Sequence, residues 1–238
     1  MHIDKGSSFD RQKEIIMIKA AKLLTLLTLF AVCTVSNAQQ KNNNKKNSAM
    51  TLEQLKLQSL GQWQSIAPEI RPSNLKNADG ALKPLYMSRK FNALPNDKFE
   101  LEVITSADPY GKMAIAQMVI KGRMEWKGEH PIAPGAQKVD FFADESYEVT
   151  PLLQGFADVL NQAAKDGYSK WEVNKPQSIF KKAFLPFGLA EGQVFIEYDL
   201  VYLYNDMMFW GARNIDGRGF DKEENRPTNL QIPLARQK

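Results

Sequence analysis

The 238 residues contain a single cysteine, Cys33, and two histidines, His2 and His130. Cys33 and His2 both lie in residues 1–38, which read as a removable leader. The remaining 200 residues then have no cysteine and one histidine. That composition excludes a disulfide and a cysteine nucleophile. It also excludes a zinc site of Cys or multi-His type, which needs three or four such ligands. A Ser-His-Asp triad would have to use His130, which sits beside Pro131 in a polar, turn-like stretch. No glycine-rich phosphate loop, no nucleophile elbow and no Asn-x-Ser/Thr sequon occurs in residues 39–238. The net charge is only +4, which argues against a dedicated nucleic-acid binder.

The leader has three parts. Lys19 and Lys22 form a basic start, Leu23 to Val35 an apolar run, and Ser36-Asn37-Ala38 a small-residue cleavage site. The run is shorter than the roughly 20 apolar residues that span a bilayer, so no transmembrane anchor is expected after cleavage. Met17 is a candidate start, because residues 1–16 are polar and resemble an upstream extension. Val32 before Cys33 departs from a lipobox, so cleavage near Ala38 is the reading adopted. Export to a periplasmic or extracellular space follows. Residues 39–50, QQKNNNKKNSAM, read as a disordered polar tether, and 51–238 as one domain.

Within 51–238, Thr51 caps a short helix over 51–60, and the body starts at Gly61. Pro72 to Pro84 reads as a loop. Strands are expected over 86–92, 99–105, 114–126, 138–150, 170–173, 179–184, 193–204 and 207–213, with Asn205-Asp206 a tight hairpin and 230–234 a closing edge. Thr150 and Pro151 open the main helix, whose apolar stripe runs from Leu152 to Ala164 before Gly167 stops it. Many antiparallel strands and one main helix predict a mainly β fold, a half-open antiparallel β-barrel that is lipocalin-like in outline.

Chemical groups are sparse. The pairs Glu100/Glu102 and Glu197/Asp199 each share a strand face, and Glu223/Glu224 are adjacent. All three read as solvated rather than as acid–base machinery. Asp140, Asp144 and Glu145 offer oxygen ligands but no calcium-loop spacing. No metal, no cofactor and no enzymatic activity is expected. A hydrolase or isomerase would need His130 beside a carboxylate. Methionines and tryptophans are more suggestive, since flexible thioethers and large rings suit an apolar cavity as well as an ordinary core. Gly61-Gln-Trp63 resembles the lipocalin entrance motif, in which a Trp plugs the base of the barrel.

Several separated blocks resemble the "adenomatosis polyposis coli down-regulated" family, known for Wnt inhibitors in animals. They are Gly61, Trp63, Ser65, Glu69, Arg71 and Pro72; Ser88, Arg89 and Phe91; Asp108-Pro109; Gly122-Arg123; Gly135 with Val149-Thr150-Pro151; Leu160-Asn161; and Tyr198 to Gly211 with Arg226-Pro227 and Gln231 to Leu234. The order covers the chain from about residue 61 onward. The resemblance implies a half-open barrel with a large apolar pocket for a lipid or fatty acyl chain. Pro68 and Gly111 stand where family members carry cysteine, so the family's disulfide is missing.

The expected function is therefore an exported protein that binds a lipid or similar apolar molecule. Expected wall residues are Trp63, Phe99, Leu101, Val103, Met118, Ile120, Tyr198 and Leu200, with Arg89 or Arg213 at a head group. Glu69, Arg71, Asp108, Arg123 and Arg226 are expected to be structural, as ion pairs and turns that fix register. The alternative is a non-enzymatic interaction module for an envelope or host protein.

Overall fold

The computed structural model describes residues 50–238, apart from 165, 166 and 215. The expected leader (1–38), and the tether (39–50) except Met50, lie outside the described residues. Helix α1 (Leu52–Ser59) is held at its start by reciprocal bonds. Gln54 N donates to the Thr51 hydroxyl at 3.3 Å, and Thr51 N donates to Gln54 Oε1 at 3.0 Å.

Ten strands follow: β1 (Gly61–Ser65), β2 (Glu69–Lys76), β3 (Leu82–Leu94), β4 (Lys98–Ser106), β5 (Ala114–Glu129), β6 (Gln137–Pro151), β7 (Gln177–Ser178), β8 (Ile196–Tyr204), β9 (Met207–Trp210) and β10 (Leu234–Arg236). All are antiparallel to their partners. The protein is thus mainly antiparallel β-sheet. The ladders run β1–β10–β9–β8–β6–β5–β4–β3, and β1 also pairs with β3, so the pairing returns to its start. β2 extends from β3 beyond β1, and β7 pairs with β6. Among the described residues no helix is long and apolar enough to cross a membrane.

Local chemistry explains the turns. Asn96 and Asp97 join β3 to β4, and Asn205 and Asp206 join β8 to β9, all four at positive φ. Asn and Asp tolerate that region better than other side chains, and it matches the strand twist of a tight hairpin. Gly122 serves a different need. A Cβ there would lie 1.8 Å from the Phe142 carbonyl oxygen. At that point β6 is out of step with β5, since Lys121 faces Ser146 but Arg123 faces Phe142. Glycine lets the bulged strand come this close.

Four expectations about elements are corrected. Pro72–Pro84 is not a loop but the β2–β3 hairpin, with Pro72 and Pro84 opposite each other near its tip. Proline is tolerated there because an end-of-sheet position needs no donor. Thr150 and Pro151 do not open a helix. Both stay in β6, Leu152 N bonds Ile115 O at 2.8 Å, and helix α2 runs only over Gln154–Ala163. The strands expected over 170–173 and 179–184 reduce to the two residues of β7, just before the second segment. Between β7 and β8 the chain forms turns and a short 3-10 helix, Leu185–Phe187. The closing strand is 234–236, while Leu230 makes one isolated bridge to Gly211.

Candidate functional site

Alternation along a strand sends every second side chain to the same face. Phe99, Leu101 and Val103 on β4 therefore share a face with Met118 and Ile120 on β5, where Leu101 is opposite Ile120 and Val103 opposite Met118. All five are buried in one apolar cluster with Trp63 and Phe91 of the neighbouring strands. Trp63 donates its ring N–H to Ser59 O at 2.7 Å, under the Arg236 guanidinium at 4.1 Å from the ring centroid. The structure brings these six expected wall residues together.

Tyr198 and Leu200 do not join them. Phe141, an inner residue, faces Glu197 across the β6–β8 ladder, which turns Tyr198 and Leu200 to the opposite face. The expectation failed because it assigned the more apolar set of β8 to the interior. The inner set is Phe195, Glu197, Asp199, Val201 and Leu203. The carboxylates are thus not on a solvated face, and Asp199 is 2% exposed.

The apolar interior is filled. Phe91, Phe99, Phe141 and Trp210 pack edge-on or tilted, with ring centroids 4.9–6.1 Å apart. One cavity of about 10 Å³ lies at this cluster, lined by Phe99, Leu101, Ile120, Phe141, Ala143, Phe195, Glu197 and Trp210. That is room for about one water. A larger groove of about 570 Å³ runs outside β1, β3 and β4. Its lining is mostly polar, and two pairs of its charges match, Lys90 with Glu102 at 3.2 Å and Lys121 with Glu100 at 2.6 Å, with Lys238 also at its edge.

A polar group adjoins the filled interior. Glu69 and Arg71 on β2 and Arg89 on β3 point inward and are all less than a tenth exposed. Arg89 Nη1 donates to Glu69 Oε2 at 2.8 Å and to Gln231 Oε1 at 3.2 Å. Arg71 Nε lies 2.9 Å from Glu69 Oε1, in an ion pair off the line of a hydrogen bond. Arg89 stacks over Trp210 at 5.5 Å, and Arg71 and Arg213 each stack over Phe220 at 5.6 Å. Arg213 donates from Nε and Nη2 to Gly217 O at 3.1 and 2.9 Å. Burial, and then Arg71 nearby, disfavour its charge and lower its pKa, against the pull of Glu197, Glu69 and Asp221.

Asp199 completes the group. Its Oδ1 accepts from Leu200 N at 2.7 Å and Gly211 N at 2.8 Å. Burial, reinforced by Glu197, pushes its pKa up to about 8, outweighing those two bonds and Arg89. Five buried side-chain nitrogens have no hydrogen-bond partner among the described residues, and three of them, Arg71 Nε, Trp210 Nε1 and Gln231 Nε2, belong to this group.

The other expected structural residues are engaged elsewhere. Arg226 donates to Asp140 Oδ1 at 2.6 Å, to Asp199 O at 2.7 Å and to Val139 O at 3.3 Å, stacked on Tyr198. Arg123 pairs with Asp144 at 2.8 Å and with Glu125, over the Phe142 ring. Asp108 caps its turn, accepting from Tyr110 N and Met113 N, and these backbone bonds lower its pKa. Asp140, Asp144 and Glu145 are each paired to a cation, Glu145 to Lys98, and no metal-ligating cluster occurs among the described residues. His130 sits in the β5–β6 turn, its Nδ1 accepting from Ile132 N, and burial followed by Arg226 and Lys138 lowers its pKa.

Sequence reasoning missed Trp210, Phe220 and Gln231 as neighbours of the arginines. The only signal was the chain's return along β9 next to β8. No family model matches this chain, and no curated protein matches it in sequence.

Proposed function

We propose that this chain is an exported, non-enzymatic binding protein that holds a lipid or another apolar ligand against the inner face of its sheet. In this reading β1, β3–β6 and β8–β10 form a half-open barrel, in keeping with the family resemblance of the sequence. The observation that carries it is the continuous apolar face of Phe99, Leu101, Val103, Met118 and Ile120, next to buried arginines that an ordinary core would not need. Burial of a chain would supply about 0.8 kcal/mol per CH₂. Small-molecule pockets usually run to about 300–1,000 Å³, so a cavity of about 10 Å³ means that side chains must move aside. Phe195 is the natural gate, because it lines the cavity and is only half-buried.

Native mass spectrometry of the purified chain, before and after lipid extraction, tests the proposal. The expected result is a bound mass that leaves with solvent, and tighter uptake of a twelve-carbon alcohol by Phe195→Ala. A protein that stays ligand-free after incubation with fatty acids and phospholipids overturns it. The second reading is an interaction module. It is favoured by β2, which ends the path of strands with Ile70 68% exposed, and by Tyr110, 81% exposed at the β4–β5 turn.

A further inference from the structure

The cradle formed by Arg71, Arg89 and Arg213 has more donors than acceptors. Among its own residues, three guanidinium groups meet the carboxylates of Glu69 and Glu197 and the buried, raised-pKa Asp199; Asp221 lies at the exposed rim beside Arg213. Among the described residues Trp210 Nε1 and Gln231 Nε2 have no acceptor, although Trp210 is 2% and Gln231 8% exposed. A buried donor left unsatisfied costs about 1–3 kcal/mol. Gln231 is fixed by its Oε1 on Arg89, and Trp210 both underlies Arg89 and lines the small cavity. The spare donors therefore cluster where the cradle meets the apolar interior.

We propose that this cradle binds the oxyanion head, carboxylate or phosphate, of an amphiphile whose apolar chain lies against the β4–β5 face. The inference rests on the apolar-ligand reading and gives that ligand a charged end. An ionised carboxylate offers about four lone-pair sites and accepts two parallel bonds from one guanidinium. Such a head satisfies Trp210 and Gln231 together with an arginine, which a hydroxyl cannot do. The geometry also orients the ligand, with the head toward Arg89 and Arg213 and the chain toward Phe99 and Ile120.

Calorimetric titration of the full chain with dodecanoate, dodecyl phosphate and dodecan-1-ol, all below their micelle concentrations, separates the possibilities. At least one anion is expected to bind about tenfold or more tighter than the alcohol, the equivalent of one charge-assisted hydrogen bond. Preference for either anion supports the site and tells which head it takes. Arg213→Gln and Trp210→Phe should each bring the anion-to-alcohol ratio toward one, with folding checked by circular dichroism. Trp210→Phe keeps an aromatic ring under Arg89 and removes the donor together with part of the indole's bulk. Equal binding of anion and alcohol overturns the head site while leaving the apolar reading intact. An anion preference that both variants retain also overturns it. Failure of all three probes to bind removes the apolar reading, and the head site with it.

Discussion

Arg226 and the Arg71–Arg89–Arg213 cradle lie on opposite faces of β8, and Arg226, Arg71 and Arg89 are buried to nearly the same degree. Their partners differ. Arg226 has the buried Asp140 carboxylate at 2.6 Å, the exposed Glu223 at 3.9 Å, two backbone carbonyls and an aromatic platform, and only its Nε lacks a hydrogen-bond partner among the described residues. In the cradle Glu69 pairs closely with Arg71 and Arg89, Arg213 bonds only the Gly217 carbonyl, and neighbouring donors have no partner among the described residues. Burial alone therefore does not distinguish an arginine that holds strands together from one suited to a ligand. The balance of donors and acceptors around it does.

Removing the clamp should have the largest effect on stability. Arg226→Met leaves Asp140 buried with only Lys127, 3.7 Å away, for compensation. Breaking a buried pair of this kind costs about 3–5 kcal/mol. Arg213→Gln should cost only about 1–2 kcal/mol, because it gives up bonds to one carbonyl in a half-buried setting. Urea unfolding of both proteins compares the two losses, and equal losses would erase the distinction.

Gly211 lies where the two regions meet. A Cβ there would fall 2.2 Å from Pro227, next to Arg226, and 2.4 Å from Asp199 Oδ1, next to the cradle. Gly211→Ala should destabilise by about 2–3 kcal/mol through overpacking. It should also disturb ligand binding, which Arg226→Met should spare in any protein that remains folded. Thermal melts alongside titration test this, and a neutral Gly211→Ala would show that the Pro227 strap yields easily.

The last expected effect is a pH dependence. Asp199 is ordinarily ionised above about pH 4, but in the fold burial holds it protonated up to about pH 8. The unfolded chain therefore releases this proton first. The stabilising contribution is complete below about pH 4 and is lost as pH rises to about 8. Asp199→Asn imitates the protonated acid and keeps an acceptor for Leu200 N and Gly211 N. Melting at pH 5 and pH 8 should show a smaller difference in the variant than in the native protein, and an unchanged difference would refute the assignment to Asp199.

Much of the β-sheet was readable from local signals. Thr51 marked a capped helix, Asn205-Asp206 a tight hairpin, and the alternation over Phe99–Val103 and Met118–Ile120 an inner face. The errors arose where partners distant in sequence decide the outcome. Tyr198 and Leu200 looked like wall residues because Glu197 and Asp199 looked like solvent residues. Register against Phe141 reverses that, and a cluster of arginines next door makes acidic side chains acceptable inside. Thr150-Pro151 looked like a helix start, yet pairing of β6 with Ala116 and Gln117 outweighs it. Arg89 or Arg213 was expected at a head group from the sequence, but Gln231 joins Arg89 from 142 residues away, a separation that no spacing rule spans.

The junction of β1 with β10 also bears on how the molecule folds. Trp63 and Arg236 face each other across that ladder, and Arg236 reaches the carbonyls of Gln58 and Leu60 at the end of α1. The contact joins segments more than 170 residues apart, so it closes one of the longest loops in the described chain. Hairpins such as β3–β4 and β8–β9 form from neighbours and need no such search. Closure of the pairing ring is then a late, slow event, reached only after the intervening strands have aligned their ends. Until it occurs, β1 offers one uncovered backbone edge, and a chain held at that stage is most open to joining a second copy of itself.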